Sequence, residues 1–189
     1  MSGPYTLCKA TLADAPALRA LHRVAFAGLA GAHYTADQIE GFFTEVETVD
    51  PDLVADGTYW LIELGGLPVA SGGWTMRPPG YAPAAQAPGT ATILAVFTDP
   101  GHARRGLARR IMDRIEADAV VLGQADRIDL CATLSGLPLY LALGYRPVEA
   151  RSLKLASGAY FPAIAMTKTV WPPFEADSPV IPAFRASAA

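Results

Sequence analysis

The sequence predicts an α/β protein, with helices packed on a single mixed β-sheet. Three observations support this. The apolar spacing switches repeatedly between helical stripes and short strand-like runs. The segments fall in the order β-α-α-β-β-β-α-β-α-β-β, which suits helices layered on a sheet. Residues 91–98 form a nearly continuous apolar run bounded by turn signals, as in a strand buried on both faces. A chain of 189 residues, 51% apolar and 17% charged, can bury one substantial core. Residues 1–170 are expected as one domain and residues 171–189 as a C-terminal tail.

Residues 5–10 read as the first strand. Asp14, just before Ala15 and Pro16, reads as a helix cap with proline in the first turn. Leu18, Leu21, Ala25 and Leu29 form an apolar stripe on that helix, and the glycines from Gly28 to Gly31 are expected to end it. Thr35-Ala36-Asp37-Gln38 has the capping-box form and opens a second helix, with Ile39, Phe42, Phe43 and Val46 inward. Residues 49–57 are expected as a polar loop. Strands at 59–64 and 67–76 flank Gly65-Gly66, a hairpin signal. Residues 78–89, interrupted by Pro78, Pro79, Pro83 and Pro88, are expected as an irregular exposed loop.

After the strand at 91–98, a helix places Leu107, Ile111, Ile115, Ala119 and Leu122 on one face. Arg110, Asp113, Arg114 and Glu116 lie on the other. Residues 127–132 form the next strand and 135–143 a short helix, with Pro138 tolerable only in its first turn. Gly144 is a natural left-handed stop. Residues 145–155 and 160–169 form a closing hairpin around Ser157-Gly158.

Composition narrows the function classes. No apolar run reaches the ~18 residues that span a bilayer, and no basic segment followed by an apolar one opens the chain. A cytoplasmic protein without membrane contact is expected. Cys8 and Cys131 fall in strands and are expected as buried, reduced thiols. His22, His33 and His102 share no metal-ligand spacing, so no metal site is expected. The net charge is −3, which argues against general nucleic-acid binding. Arginines nevertheless cluster at 104, 105, 109, 110 and 114, as suits a small polyanion, with Arg110 and Arg114 expected on a solvated helix face.

The segment from Asp99 to Arg110 concentrates the chemistry. A turn at Asp99-Pro100-Gly101 leads into Ala103-Arg104-Arg105-Gly106-Leu107-Ala108 and directly into a helix. Free amides, the helix dipole, small side chains and flanking arginines together make an anion site. The spacing matches neither Gly-x-Gly-x-x-Gly nor the P-loop.

This loop resembles the pyrophosphate loop of the GNAT superfamily of acyl-CoA-dependent N-acyltransferases, Gln/Arg-x-x-Gly-x-Gly/Ala. Ala103 departs from its first position. A second match follows at Tyr140-Leu141-Ala142-Leu143-Gly144-Tyr145, similar to the family's Tyr-x-x-x-Gly-Phe/Tyr. The resemblance spans residues 5–170 and implies a mixed, mostly antiparallel GNAT-like sheet flanked by helices, with acetyl-CoA as co-substrate. It implies an N-acetyltransferase that acts on a primary amine of a small molecule or peptide by direct attack, and many members are homodimers.

The resemblance also assigns roles. Val96, Phe97 and Thr98, on a strand that splays from its neighbour, would pair with the pantetheine arm. The amide of Val96 or Phe97 would donate to the thioester oxygen. Arg104, Arg105, Gly106, Leu107, Ala108 and Arg109 would hold the pyrophosphate. Tyr140 would protonate the leaving thiolate as general acid, since a phenol of pKa ~10 keeps its proton at neutral pH. Many relatives carry a glutamate on the strand before the loop, but residues 90–95 hold no carboxylate. Glu40, Glu63 and Asp99 are the distant candidates for a base, and His33, Tyr34, Trp74 and Tyr160 are candidates to line the acceptor pocket. The alternative is a non-catalytic acyl-CoA-binding module that has kept the loop and lost the base.

Overall fold

The computed structural model describes residues 4–78 and 86–170. Most of the expected proline-rich loop and all of the expected tail lie outside the described residues. The elements are β1 (Thr6–Lys9), α1 (Ala15–Ala30), α2 (Ala36–Glu45), α3 (Pro51–Ala55), β2 (Tyr59–Leu64), β3 (Leu67–Thr75), β4 (Thr90–Thr98), α4 (Leu107–Val121), β5 (Arg127–Thr133), α5 (Leu137–Ala142), β6 (Arg146–Lys154) and β7 (Tyr160–Thr169). The predicted order is observed, with the short helix α3 added to it.

The strands form one sheet in the order β1-β2-β3-β4-β5-β7-β6. Every pairing is antiparallel except that of β4 with β5. This is the mixed, mostly antiparallel sheet the sequence implied. Alternate residues of β2 divide the core into two layers, because successive strand side chains point to opposite faces. Trp60 and Ile62 pack with Ile111, Met112 and Ile115 of α4, while Tyr59 and Leu61 pack with Leu18 and Leu21 of α1 and Leu53 of α3. A third cluster joins Phe26, Tyr34 and Phe161, with Phe42, Phe43 and Phe97 against it.

Several local expectations hold. Thr35 and Gln38 close the capping box of α2, each side chain bonded to the other residue's backbone N–H. Gly65 and Gly66 both have positive φ, as a tight hairpin turn requires. Tyr145 is a core aromatic, its hydroxyl donating to Glu116 at 2.9 Å.

Others are corrected. α1 ends within the expected 28–31 segment, at Ala30 with Gly31 as its C-cap, but not at Gly28. Gly28 sits inside the helix where Pro100 packs onto it, so the glycine serves a close approach rather than a stop. The buried face of α1 is Leu18, Leu21, His22, Ala25, Phe26 and Ala30, whereas Leu29 is exposed. Asp14 does not cap α1 through its side chain. Its carboxylate turns back to accept from the Thr11 N–H and hydroxyl, both at 2.8 Å. The expected loop at 49–57 contains α3, started by Pro51 after Asp50, whose side chain accepts from Asp52 N–H. Leu53 and Val54 anchor that helix in the core. Cys8 and Cys131 are free thiols but only partly buried.

Candidate active site

The site follows from the way β4 parts from β5. Their parallel ladder runs only from Thr90↔Arg127 to Ile93↔Leu130. Beyond it β5 remains paired with β7 as far as Thr133, while β4 continues along β3 to Thr98. The two strands therefore leave an open wedge, and the burial of β4 drops from buried to partial at the same point.

A β-bulge lies at the start of the wedge. The β3–β4 register steps from Gly73↔Leu94 to Ser71↔Phe97, so Ala95 and Val96 oppose Gly72 alone. Ala95 has φ 56, a left-handed conformation that costs a non-glycine residue ~1–3 kcal/mol and recurs at functional sites. The Ser71 hydroxyl donates to the Ala95 carbonyl at 3.2 Å. The 95–96 peptide is trans, and a trans peptide opposes its N–H to its C=O. With the carbonyl bonded to Ser71, the N–H of the same peptide, that of Val96, points away from the Ser71 hydroxyl, and Val96 lines the cleft described below. Gly72 leaves room for this packing: a Cβ there would stand 2.5 Å from Ile111 Cγ2 and 3.3 Å from Val96 Cγ2.

The loop after β4 begins with a 3-10 turn at Pro100–His102, fixed by Asp99 Oδ1 accepting from Gly101 N–H at 2.7 Å. Arg104 and Gly106 both have left-handed φ, 62 and 77, and flank Arg105. Gly106 is the N-cap of α4, and the first helical bond runs from Arg110 N–H to Gly106 O. The amides of Leu107, Ala108 and Arg109 thus have no intrahelical acceptor and are free for an anion.

A single cleft of about 1510 Å³ joins these parts. Val96, Phe97, Thr98, Arg104, Gly106, Leu107, Ala108, Arg109 and Tyr140 all line it. Arg105 does not, because its guanidinium donates to the Tyr5 hydroxyl at 3.3 Å. Arg110 and Arg114 are exposed on the helix face, as expected, and also bond back to the body of the protein. Arg110 donates to the Tyr5 carbonyl, and Arg114 stacks 4.1 Å over Trp60 and bridges Asp118.

Tyr140 is buried on α5, edge-to-face with Tyr145 at 5.9 Å. A Cβ on Gly136 would reach within 3.1 Å of its ring, so that glycine makes room for it. Burial, with Cys131 adding, pushes the phenol above its ordinary pKa and keeps it protonated. Cys131 also lines the cleft.

At the other end the cleft is acidic and aromatic. Glu47, Asp50 and Asp52 line it beside Phe26, Phe42 and Phe161, with Arg19 3.0 Å from Glu47 and Arg77, itself a lining residue, 4.0 Å from Asp52. Burial raises the Glu47 pKa, but hydrogen bonds from Arg19 and the Val49 N–H outweigh this and hold it below the ordinary carboxylate range. Glu40, Glu63 and Asp99 do not line the cleft, and Glu40 instead pairs with Arg23 at 3.5 Å. His33, Tyr34, Trp74 and Tyr160 do not line it either. Tyr34 is held between Pro162 O and Leu134 N–H, Trp74 packs under α4, and Tyr160 is exposed.

Sequence reasoning missed Glu47 and Thr48, both at the cleft, and the buried His22 behind Thr48. Among the described residues no three His, Cys, Asp or Glu side chains are placed to hold a metal ion, and no helix is long and apolar enough to cross a membrane.

Comparison with known proteins agrees with this geometry. The model of the Acetyltransferase (GNAT) family matches residues 17–145. Among curated proteins nothing matches. A GCN5-related N-acetyltransferase from Rhodopseudomonas palustris superposes with a TM-score of 0.68 at 17% identity, over 90% of this chain and 98% of that one. One from Ralstonia eutropha JMP134 is 26% identical, with a TM-score of 0.58 over 81% of this chain and 99% of the other. The structure of yncA from Salmonella typhimurium with its cofactor acetyl-CoA gives 0.63 at 17% identity, over 93% and 99% of the two chains.

Proposed function

We propose that this chain, which belongs to the acetyltransferase (GNAT) family, transfers an acetyl group from acetyl-CoA to a primary amine of a small molecule or peptide by direct attack. The observation that carries the reading is the shared cleft. Val96, Phe97 and Thr98 of the open edge of β4, Leu107, Ala108 and Arg109 at the start of α4, and Tyr140 are all among its lining residues.

In this reading the amides of Leu107, Ala108 and Arg109, with Arg104, hold the pyrophosphate. The pantetheine arm lies in the wedge against Val96, Phe97 and Thr98. The Val96 N–H meets the thioester oxygen as charge develops on it, a contact worth ~3 kcal/mol where such donors have been removed from other enzymes. Tyr140 returns a proton to the departing thiolate. The amine enters from the end lined by Glu47, Asp50 and Asp52, whose negative charge, partly offset by Arg19 and Arg77, favours a cationic acceptor.

That amine must lose a proton before it attacks, and residues 90–95 supply no base. Presenting an amine of pKa ~10.4 in neutral form at pH 7 costs ~4–5 kcal/mol, whereas an α-amine near 7.7–8.0 costs ~1. The chemistry therefore favours an acceptor amine of low pKa. Residues 1–170 act as one catalytic domain, with residues 171–189 appended.

The test is thermal unfolding with and without acetyl-CoA, with ATP as the anion control. A ligand at ~100 times its dissociation constant adds ~2.7 kcal/mol, a rise of several degrees. A rise with acetyl-CoA alone supports the reading and leads to an amine screen that follows free thiol. An equal rise with ATP would reduce the loop to a generic anion site.

A further inference from the structure

His22 is the most deeply buried titratable side chain on α1, with no exposed surface, and no step of the proposed reaction uses it. It joins four segments. Its Nδ1 lies 2.8 Å from the Thr48 hydroxyl, and its Nε2 lies 3.0 Å from the Ser71 hydroxyl and 3.2 Å from that of Tyr59. Ser71 is likewise fully buried and donates to the Ala95 carbonyl at 3.2 Å. The imidazole stacks on Phe97, centroids 4.1 Å apart and planes at 20°.

Stability alone does not account for such a group. Replacing two mutually bonded buried polar partners by apolar groups of the same shape is often nearly neutral. What sets this cluster apart is its end point, the carbonyl of the one strand residue forced into a left-handed conformation.

One arrangement of the available protons runs the whole chain in a single direction. Burial keeps the imidazole neutral, so it has one donor and one acceptor nitrogen. With the Ser71 proton on the Ala95 carbonyl, the Ser71 oxygen accepts from Nε2–H, which the Tyr59 hydroxyl also faces. Nδ1 then accepts from Thr48, which stands at the cleft wall. In this arrangement every donor in the series points the same way, from the cleft to the bulge: Thr48 to His22, His22 to Ser71, Ser71 to Ala95. Hydrogen bonds in series polarise one another, by roughly 10–30% per bond. A peptide whose carbonyl accepts a bond becomes a stronger donor at its own N–H, and for this peptide that N–H belongs to Val96.

We propose that His22 and Ser71 are positioning residues whose hydrogen-bond relay holds the Ala95 bulge and strengthens the Val96 amide as the donor to the thioester oxygen. The inference rests on the cofactor reading given above, and the experiment separates the two.

The probe is acetyl-CoA carrying ¹³C at the acetyl carbonyl, followed by isotope-edited infrared spectroscopy. On binding the wild-type protein, the thioester carbonyl stretch moves to lower frequency. In Ser71→Ala the shift is smaller, while the dissociation constant stays within about threefold of wild type. Ser71→Thr, which keeps the hydroxyl, restores the full shift. His22→Phe reduces it as Ser71→Ala does, and the double variant goes no further, because both changes break one series. With an acceptor in hand, kcat of Ser71→Ala falls roughly two- to eightfold, the expected effect of weakening by 10–30% a donor worth 10²–10³-fold.

A second readout needs no cofactor. The Val96 amide proton resonance moves upfield in Ser71→Ala and stays in place in Ser71→Thr. A full wild-type carbonyl shift in Ser71→Ala with acetyl-CoA bound overturns the inference, as does an unmoved Val96 resonance. Failure of acetyl-CoA to bind the wild-type protein overturns the cofactor reading itself.

Discussion

Pro100 packs against α1 at Gly28 so closely that a Cβ at position 28 would overlap the proline ring. This contact ties the first helix to the turn that launches the anion loop. Two effects of Gly28→Ala oppose each other. Alanine is favoured in a helix interior by up to ~1 kcal/mol, whereas overpacking a tight contact costs typically 1–3 kcal/mol. The clash involves a ring fixed between Asp99 and Gly101, so overpacking is expected to win. Gly28→Ala should lower the denaturation midpoint and weaken acetyl-CoA binding, because Pro100 can yield only by moving the loop. A more stable variant with unchanged binding would show that the turn adjusts freely.

Tyr140→Phe removes only a hydroxyl from a buried ring. Turnover should fall ~10²-fold or more, as for loss of a positioned proton donor, with acetyl-CoA binding nearly unchanged. Steady-state kinetics beside a binding titration separate the two effects. Unchanged turnover would remove Tyr140 from the mechanism.

At Gly106 a side chain would meet open space, but the backbone there has φ 77. Gly106→Glu therefore brings both strain and a carboxylate to the mouth of the free amides. Acetyl-CoA should no longer raise the melting temperature of this variant. Persistent stabilisation would displace the anion site from the α4 N-terminus.

Features written locally in the chain were legible in its sequence. The Thr35–Gln38 box, the Gly65-Gly66 turn, the strand before the loop and the glycine opening α4 each need only a few neighbouring residues. What was missed depends on distant partners. Gly28 looks like a helix stop until Pro100 is placed on it. Asp14 looks like a cap until Thr11 competes for its carboxylate. The acidic end of the cleft and the His22 series are assembled from α1, the 46–50 segment, β2, β3 and β4, and no periodicity links them. The one available hint was polar: His22 falls one position after Leu21, on the buried side of the stripe.

The same burial makes His22 a source of acid sensitivity. Desolvation pushes its pKa down from 6.5 to about 3, with Glu47 opposing and Arg19 adding to the shift. The unfolded chain takes up this proton near 6.5 and the folded protein only near 3. Between those values the unfolded state binds more protons, so stability is full above about 6.5 and falls with decreasing pH, by up to about 1.4 kcal/mol per unit. Glu47, held below its ordinary range, gives a loss of the same sign, but only in the more acidic carboxylate range. The interval from pH 6.5 to about 5 therefore isolates the histidine. Urea midpoints measured across that interval should decline for wild type and stay nearly level for His22→Gln. Equal declines in both proteins would assign the acid sensitivity to another group.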